Sequence, residues 1–118
     1  MADKFRITLG QLNPTVGDID GNAAKARSVW EAGKSASADM VALPEMFITG
    51  YNAQDLVMKP AFHSRAMQVV AKLADECADG PALAIGCPWV EGAELFNAYL
   101  ICQGGDITTR LFKHHLPN

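Results

Sequence analysis

A short apolar run stopped by a proline is the feature that most constrains the fold of this chain. Met40–Leu43 is apolar, Pro44 follows it, and Glu45 comes directly after the proline. Because proline cannot donate a hydrogen bond within a central strand, a strand here must end at Leu43 or Pro44. Glu45 is therefore predicted to lie just beyond the carboxyl end of a buried strand, the edge at which α/β sheets usually bind ligands.

Glu45 is a candidate general base. Its sequence neighbours are apolar: Leu43, Met46, Phe47 and Ile48. If this segment packs, the carboxylate is expected to be poorly solvated, with a pKa raised toward the range of a general base. The alternative interpretation is a solvated loop charge or a residue that helps to cap a helix. This stretch by itself does not decide between the two.

The hydrophobic periodicity of the whole chain predicts strands that alternate with helices. The predicted strands are Phe5–Leu12, Met40–Leu43, Ala82–Pro88, Leu95–Cys102 and Ile107–Phe112. The predicted helices are Ala23–Ser37, with Asn22 as its N-cap, and Ala61–Ala78. This order, β-α-β-α-β-β-β, favours an α/β layer with helices on one face of the sheet. The other face then needs cover from a second sheet or a partner chain.

Composition and charge restrict the class of protein. The chain has 118 residues, of which 49% are hydrophobic and 19% charged, which fits one small folded domain. A net charge of −3 without a basic cluster argues against nucleic acid as a partner. The apolar runs are shorter than the roughly 20 residues that cross a membrane. Three cysteines without a Cys-x-x-Cys pair indicate reduced thiols in the cytoplasm.

Lys113 is a second candidate catalytic residue, because it follows the last predicted strand as Glu45 follows the second. If both strands lie near the middle of one sheet, their carboxyl ends approach each other. A carboxylate and an ammonium in one cleft suit acyl transfer from an amide: the carboxylate takes a proton from a nucleophile, and the ammonium stabilises the oxyanion. The alternative is an ordinary surface lysine at a strand end.

The cysteine and histidine side chains are weaker candidates for a functional site. Cys77 lies on the apolar face of the second helix, and Cys87 and Cys102 end apolar strands, so all three are interpreted as inert packing residues. His114 and His115 are adjacent and point to opposite faces of a strand. His63 has no partner at metal-ligand spacing, and no metal site is predicted.

Four stretches that span nearly the whole chain carry a family resemblance. They are Gln11-Leu-Asn-Pro-Thr-Val-Gly-Asp-Ile-Asp-Gly-Asn22, Leu43-Pro-Glu-Met-Phe-Ile-Thr-Gly-Tyr51, Phe96-Asn-Ala-Tyr99 and Lys113-His-His-Leu-Pro-Asn118. With these motifs the chain resembles the nitrilase (carbon–nitrogen hydrolase) superfamily. Within it, the chain is most similar to the amino-terminal glutaminase domains of the glutamine-dependent NAD synthetase branch.

The resemblance implies a fold, a site and a reaction. The fold would be an α-β-β-α sandwich, of which this chain is roughly the N-terminal half. Glu45 would be the general base, Lys113 the oxyanion-stabilising lysine, and Tyr51 a residue that lines the glutamine pocket. In this family a cysteine thiolate attacks the glutamine side-chain amide, and ammonia passes to a C-terminal synthetase domain. That domain uses ATP and Mg to amidate nicotinic acid adenine dinucleotide to NAD.

The resemblance also implies what this chain lacks. Residues 1–118 would be the truncated N-terminal part of the amidohydrolase domain, without the family's nucleophilic cysteine or the synthetase domain, and inactive alone. Its partners would be glutamine and the synthetase domain, in a cytoplasmic homo-oligomer with no cofactor in this part. Two alternatives stay open: a stand-alone amidase or ω-amidase, and a non-catalytic assembly module of the same fold. Intact Glu45 and Lys113 argue against the second.

Overall fold

Strands and helices alternate along the chain in the predicted order, with one short helix added. The computed structural model describes residues 4–51 and 54–115. Its elements are β1 (Ile7–Leu9), α1 (Ile19–Ser35), β2 (Met40–Ala42), α2 (Gln54–Val57), α3 (Pro60–Glu76), β3 (Ala82–Glu91), β4 (Glu94–Gln103) and β5 (Asp106–His115). The predicted end of the second strand before Pro44 is confirmed, and the first strand is shorter than predicted.

The five strands form one sheet in the order β1-β2-β3-β4-β5. β1, β2 and β3 are parallel, and the hairpins that follow make β4 antiparallel to β3 and β5 antiparallel to β4. β5 therefore runs in the same direction as β2, and both strands end at the same edge of the sheet. The condition stated for their approach, that both strands lie near the middle of the sheet, is not met by β5, which is an outer strand of this sheet.

Both long helices pack on one face of the sheet and form the core with it. Buried residues of α1 and α3 lie against buried sheet residues: Ala26, Trp30, Val69, Val70 and Leu73 from the helices, and Val41, Leu83, Ile85 and Leu100 from the strands. α1 lies close to the sheet at Gly33, where an added methyl group would come within 2.4 Å of Val41. Glycine at this position is thus explained by packing, although it weakens a helix intrinsically.

The start of α1 differs from the prediction. Asp18, not Asn22, is the N-cap, and its carboxylate accepts a hydrogen bond of 3.0 Å from the Gly21 N–H. Asn22 is fully buried inside the helix and donates its amide to the Thr15 and Ile48 carbonyl oxygens at 2.8 and 3.0 Å. Its side chain therefore ties the loop before α1 to the segment after Glu45.

The second face of the sheet carries exposed apolar side chains. Thr8 and Val41 face α1, so alternation along β1 turns Ile7 and Leu9 to the opposite side. Leu9 is 66% exposed there. We call this side the open face; it carries Ile7, Leu9, Tyr99 and Leu111. No helix among the described residues is long and apolar enough to cross a membrane.

Candidate active site

Glu45 and Lys113 form an ion pair on the open face. The Lys113 Nζ atom lies 2.8 Å from Oε2 and 3.1 Å from Oε1 of Glu45. The side chains are 45% exposed for Glu45 and 60% for Lys113. The expected proximity is therefore observed, whereas the expected burial of Glu45 is wrong: Phe47 and Ile48 point into the core, and Glu45 turns away from it. The catalytic roles of both residues stay predictions.

The segment after β2, residues 43–51, crosses over β3, and this brings Glu45 toward β5. We call it the crossing segment. Three backbone hydrogen bonds to β3 guide it: Leu43 N–H to the Ala84 carbonyl at 2.8 Å, Gly86 N–H to the Pro44 carbonyl at 3.2 Å, and Ile48 N–H to the Gly86 carbonyl at 3.3 Å. Neighbouring strands lie about 4.8 Å apart, so β2 and β5 are separated by about 14 Å. The backbone at Glu45 lies over Gly86 of β3, and the side chains of Glu45 and Lys113 span the remaining distance.

Gly86 makes the crossing possible. A Cβ atom at this position would lie 2.1 Å from the Met46 nitrogen and 2.4 Å from the Glu45 Cα atom, far inside contact distance. Met46, directly after Glu45, has a φ of +54°, in the left-handed region that non-glycine residues rarely adopt. The sharp turn therefore depends on a bare backbone below it and on one strained residue within it.

Lys113 lies at a β-bulge of β5, and alternation along the strand from Leu111 turns it to the open face. Phe112 pairs with Ala98 and His114 pairs with Asn97, so Lys113 is the extra residue between two paired positions of β5. Bulges are frequent next to active sites. Lys113 thus lies within β5, where the sequence predicted that the strand had already ended at Phe112.

Two side chains of β4 also contact the crossing segment. The Asn97 amide donates to Oε1 of Glu45 at 3.4 Å, and the Tyr99 hydroxyl donates to the Leu43 carbonyl at 2.8 Å. Burial raises the pKa of Tyr99, which keeps its phenol protonated and able to donate. The sequence interpretation assigned these residues no role. The signal was their spacing of two within Phe96-Asn-Ala-Tyr99, which puts both on one face of a strand.

Tyr51 lies at the far end of the same segment and is 52% exposed. It follows Gly50, whose φ of +87° and close approach to Val16 exclude a side chain there. An exposed tyrosine after a constrained turn is accessible to a small molecule. Its predicted role in a glutamine pocket stays a prediction.

The three cysteines are buried, as predicted. Burial raises the pKa of Cys77 to about 11, assisted by the adjacent Glu76 carboxylate, and that of Cys102 to about 12. Burial also raises the pKa of Cys87 far above its ordinary value, and Cys87 points into the core while Gly86 before it underlies Glu45. A protonated thiol is a poor nucleophile, so these residues do not complete the site.

No group of three or more His, Cys, Asp or Glu side chains that could hold a metal occurs among the described residues. The side chains of His114 and His115 lie outside the described part of the structure. His63 is half-buried near the start of α3, and its Nδ1 atom has no hydrogen-bond partner.

Sequence and structure comparisons agree with this architecture. Residues 6–118 match the sequence profile of the family described as carbon-nitrogen hydrolase. The chain belongs to the carbon–nitrogen hydrolase family. Over 118 residues it is 55% identical to the glutamine-dependent NAD(+) synthetase of Rhodobacter capsulatus, a match that covers 100% of this chain and 21% of that protein.

Two solved structures show the same fold. The glutamine-dependent NAD+ synthetase of Acinetobacter baumannii in complex with adenosine diphosphate superimposes with a TM-score of 0.86 at 28% identity, over 97% of this chain and 22% of that one. An amidase from Nesterenkonia sp. has a TM-score of 0.79 at 19% identity, over 92% of this chain and 42% of that one. The predicted nitrilase-like α/β fold is thus confirmed. The chain spans about a fifth of the length of the curated NAD synthetases it matches.

Proposed function

We propose that this chain is the N-terminal part of the glutaminase domain of a glutamine-dependent NAD synthetase. The observation that carries the proposal is the contact of the Lys113 ammonium with both oxygens of Glu45, on the open face of a carbon–nitrogen hydrolase sheet. The 55% identity to an NAD synthetase over all 118 residues supports this branch of the family. The enzyme acts in the cytoplasm, where reduced cysteines are expected.

In the proposed reaction, Glu45 accepts the proton of a cysteine thiol that lies outside residues 1–118. The thiolate attacks the side-chain carbonyl carbon of glutamine, and the Lys113 ammonium stabilises the oxyanion of the tetrahedral intermediate. Glu45 returns the proton to the leaving nitrogen, so that ammonia departs and a glutamyl thioester remains. Glu45 then takes a proton from the water that attacks the thioester carbonyl, the thiolate leaves, and Glu45 returns the proton to it, which yields glutamate and free thiol. Tyr51 contacts the glutamine substrate in this proposal.

The ammonia is used by a synthetase domain of the same parent protein. That domain amidates nicotinic acid adenine dinucleotide to NAD and uses ATP and Mg²⁺. The described residues of this chain do not fit a Mg²⁺ site, because they hold no suitable cluster of acidic and histidine side chains. The chemistry proposed for Glu45 and Lys113 accordingly does not pass through the metal.

A stand-alone amidase is the second candidate. An amidase from Nesterenkonia sp. shares the fold, so the same sheet and the same pair of side chains occur in a framework that both enzymes could use. The same pair, Glu45 and Lys113, would serve both enzymes. The two differ in whether amide hydrolysis is coupled to NAD formation.

Replacing Glu45 in the full-length protein tests the proposal. Glu45→Gln should abolish glutamine-dependent NAD formation and leave ammonia-dependent NAD formation intact, because only the first reaction needs the base. Survival of both activities would refute the assignment of Glu45. Hydrolysis of amides without any NAD formation by the unsubstituted protein would favour the stand-alone amidase.

A further inference from the structure

Asn97 is a buried polar residue whose hydrogen bond leads to the candidate base. It is 6% exposed, in the interior of β4, and its amide donates to Oε1 of Glu45 at 3.4 Å. Buried polar groups are almost always hydrogen-bonded, because an unpaired one is destabilising. The contact is long, as hydrogen bonds of catalytic groups often are before substrate binds.

The same strand holds the backbone from which Glu45 extends. Tyr99 lies two residues after Asn97 on the same face of β4, and its hydroxyl donates to the Leu43 carbonyl at 2.8 Å. Tyr99 pairs with Gly86 on β3, and Asn97 pairs with Pro88. Tyr99 therefore reaches across β3 at Gly86, and Asn97 reaches Glu45 from the position beside Pro88.

Lys113 alone does not fix the orientation of the Glu45 carboxylate. The lysine side chain has a flexible four-carbon stem and is 60% exposed, and Glu45 is 45% exposed. An exposed pair of this kind can rearrange together at little loss of free energy. Asn97 differs because it is short, buried and anchored in the central part of β4. A general base acts efficiently only when it is held in one geometry relative to the reacting atoms.

We propose that Asn97 is a positioning residue for Glu45: its amide holds Oε1, so that the carboxylate keeps one orientation toward Lys113 and the substrate. This inference rests on the proposed function and adds a residue to which no role was assigned. Tyr99 and Gly86 contribute by holding the backbone on either side of Pro44. The pattern Asn-Ala-Tyr, with two open-face side chains flanking a core alanine, is thereby explained.

Two variants of the full-length protein test this role. Asn97→Ala removes the amide, and the isosteric Asn97→Asp keeps the packing but replaces the donor by an acid. We expect kcat/KM for glutamine to fall about 10- to 100-fold in both, the size of a lost hydrogen bond to a charged group. Ammonia-dependent NAD formation should be unchanged, because it does not use Glu45.

The pH profile separates positioning from stability. The amide donor favours the ionised carboxylate, so the acid limb of kcat/KM for glutamine should move to higher pH in Asn97→Ala. It should move further in Asn97→Asp, where a second carboxylate opposes the charge of Glu45. Lys113 from β5 faces Glu45 in all variants. If Asn97→Ala unfolds at low temperature, Asn97→Asp carries the test.

Asn22 provides a matched control, because it is also a buried asparagine but binds Thr15 and Ile48. Asn22→Asp should lower stability without moving the acid limb. A wild-type kcat/KM and pH profile in Asn97→Asp would overturn the positioning role alone. Absence of glutamine-dependent NAD formation in the unsubstituted protein would instead overturn the proposed function. A shift of equal size in Asn22→Asp would also count against Asn97.

Discussion

The ammonium of Lys113 lies 2.8 Å from Oε2 of Glu45, although β3 and β4 separate the strand before Glu45 from the strand that carries Lys113. Three local features produce this contact. The segment after β2 crosses over Gly86, the left-handed Met46 turns it, and alternation along β5 places Lys113 on the same face as Leu111. An irregular turn thus brings Glu45 over the sheet to Lys113.

Gly86→Ala adds one methyl group, and it should disrupt the site more than a methyl group added anywhere else on this face. Its Cβ would lie 2.1 Å from the Met46 nitrogen and 2.4 Å from the Glu45 Cα atom. Both are backbone atoms, so the crossing segment must move away from β3. We expect glutamine-dependent activity to fall by about 100-fold, as for a misplacement of about 1 Å. Stability should fall by about 1–3 kcal/mol, as for overpacking. Steady-state kinetics and thermal unfolding measure the two effects.

Gly92→Ala is the control for backbone strain. Gly92 has a φ of +64°, at which alanine is strained, but a Cβ would meet nothing within 4 Å, whereas a Cβ at Gly86 would clash. This variant should lose about 1 kcal/mol of stability and keep its glutamine-dependent activity. Full activity in Gly86→Ala would show that the segment tolerates displacement from β3.

The regular part of this fold could be predicted from sequence, and the irregular part could not. Continuous apolar runs, period-2 alternation and period-3.6 patterns give all five strands and both long helices, because buried faces leave apolar residues in a regular pattern. The residues that complete the site do not follow a period. Gly86 and the left-handed Met46 belong to a contact between β3 and the segment after β2, and the bulge at Lys113 interrupts the pairing of β5 with β4.

Asn22 illustrates the same limit in a helix. Its position before an apolar helical pattern predicts an N-cap, but Asp18 caps α1 one turn earlier. Asn22 instead forms hydrogen bonds with Thr15 and Ile48, which lie outside the helix.

The predicted contact of Glu45 with Lys113 is observed, but not because both strands lie near the middle of the sheet, since β5 is an outer strand.

Lys113→Met should abolish most glutamine hydrolysis with little change in stability. Loss of one oxyanion-stabilising donor typically lowers kcat by about 10²- to 10³-fold. The ion pair is largely exposed, and such pairs contribute at most about 1 kcal/mol to folding. Lys34→Met is the matched control, because Lys34 forms another exposed ion pair, with Asp79, on the helix side. Retention of more than half the activity in Lys113→Met would exclude the proposed role.

The three buried thiols should resist alkylation in the folded protein. Burial raises their pKa values, so raising the pH from about 7 to about 9 ionises an ordinary thiol but leaves these protonated. Iodoacetamide labelling, read by peptide mass spectrometry, should be slow at both pH values for Cys77, Cys87 and Cys102. Labelling should become complete in denaturant. Fast native labelling of Cys87 with loss of glutamine hydrolysis would instead identify it as the nucleophile.

Tyr51 is the predicted substrate residue whose role kinetics can test most directly. Its side chain is 52% exposed, so Tyr51→Ala should change the stability by less than about 1 kcal/mol. A residue that binds glutamine equally in the ground and transition states raises KM when it is removed and leaves kcat unchanged. We therefore expect KM for glutamine to rise about tenfold, which corresponds to one lost contact of about 1.4 kcal/mol, while kcat stays within about twofold. Val16→Ala is the control, because Val16 packs against Gly50 beside Tyr51 without belonging to the predicted pocket. An unchanged KM in Tyr51→Ala would remove Tyr51 from the substrate site, and a large fall in kcat would give it a part in the chemistry instead.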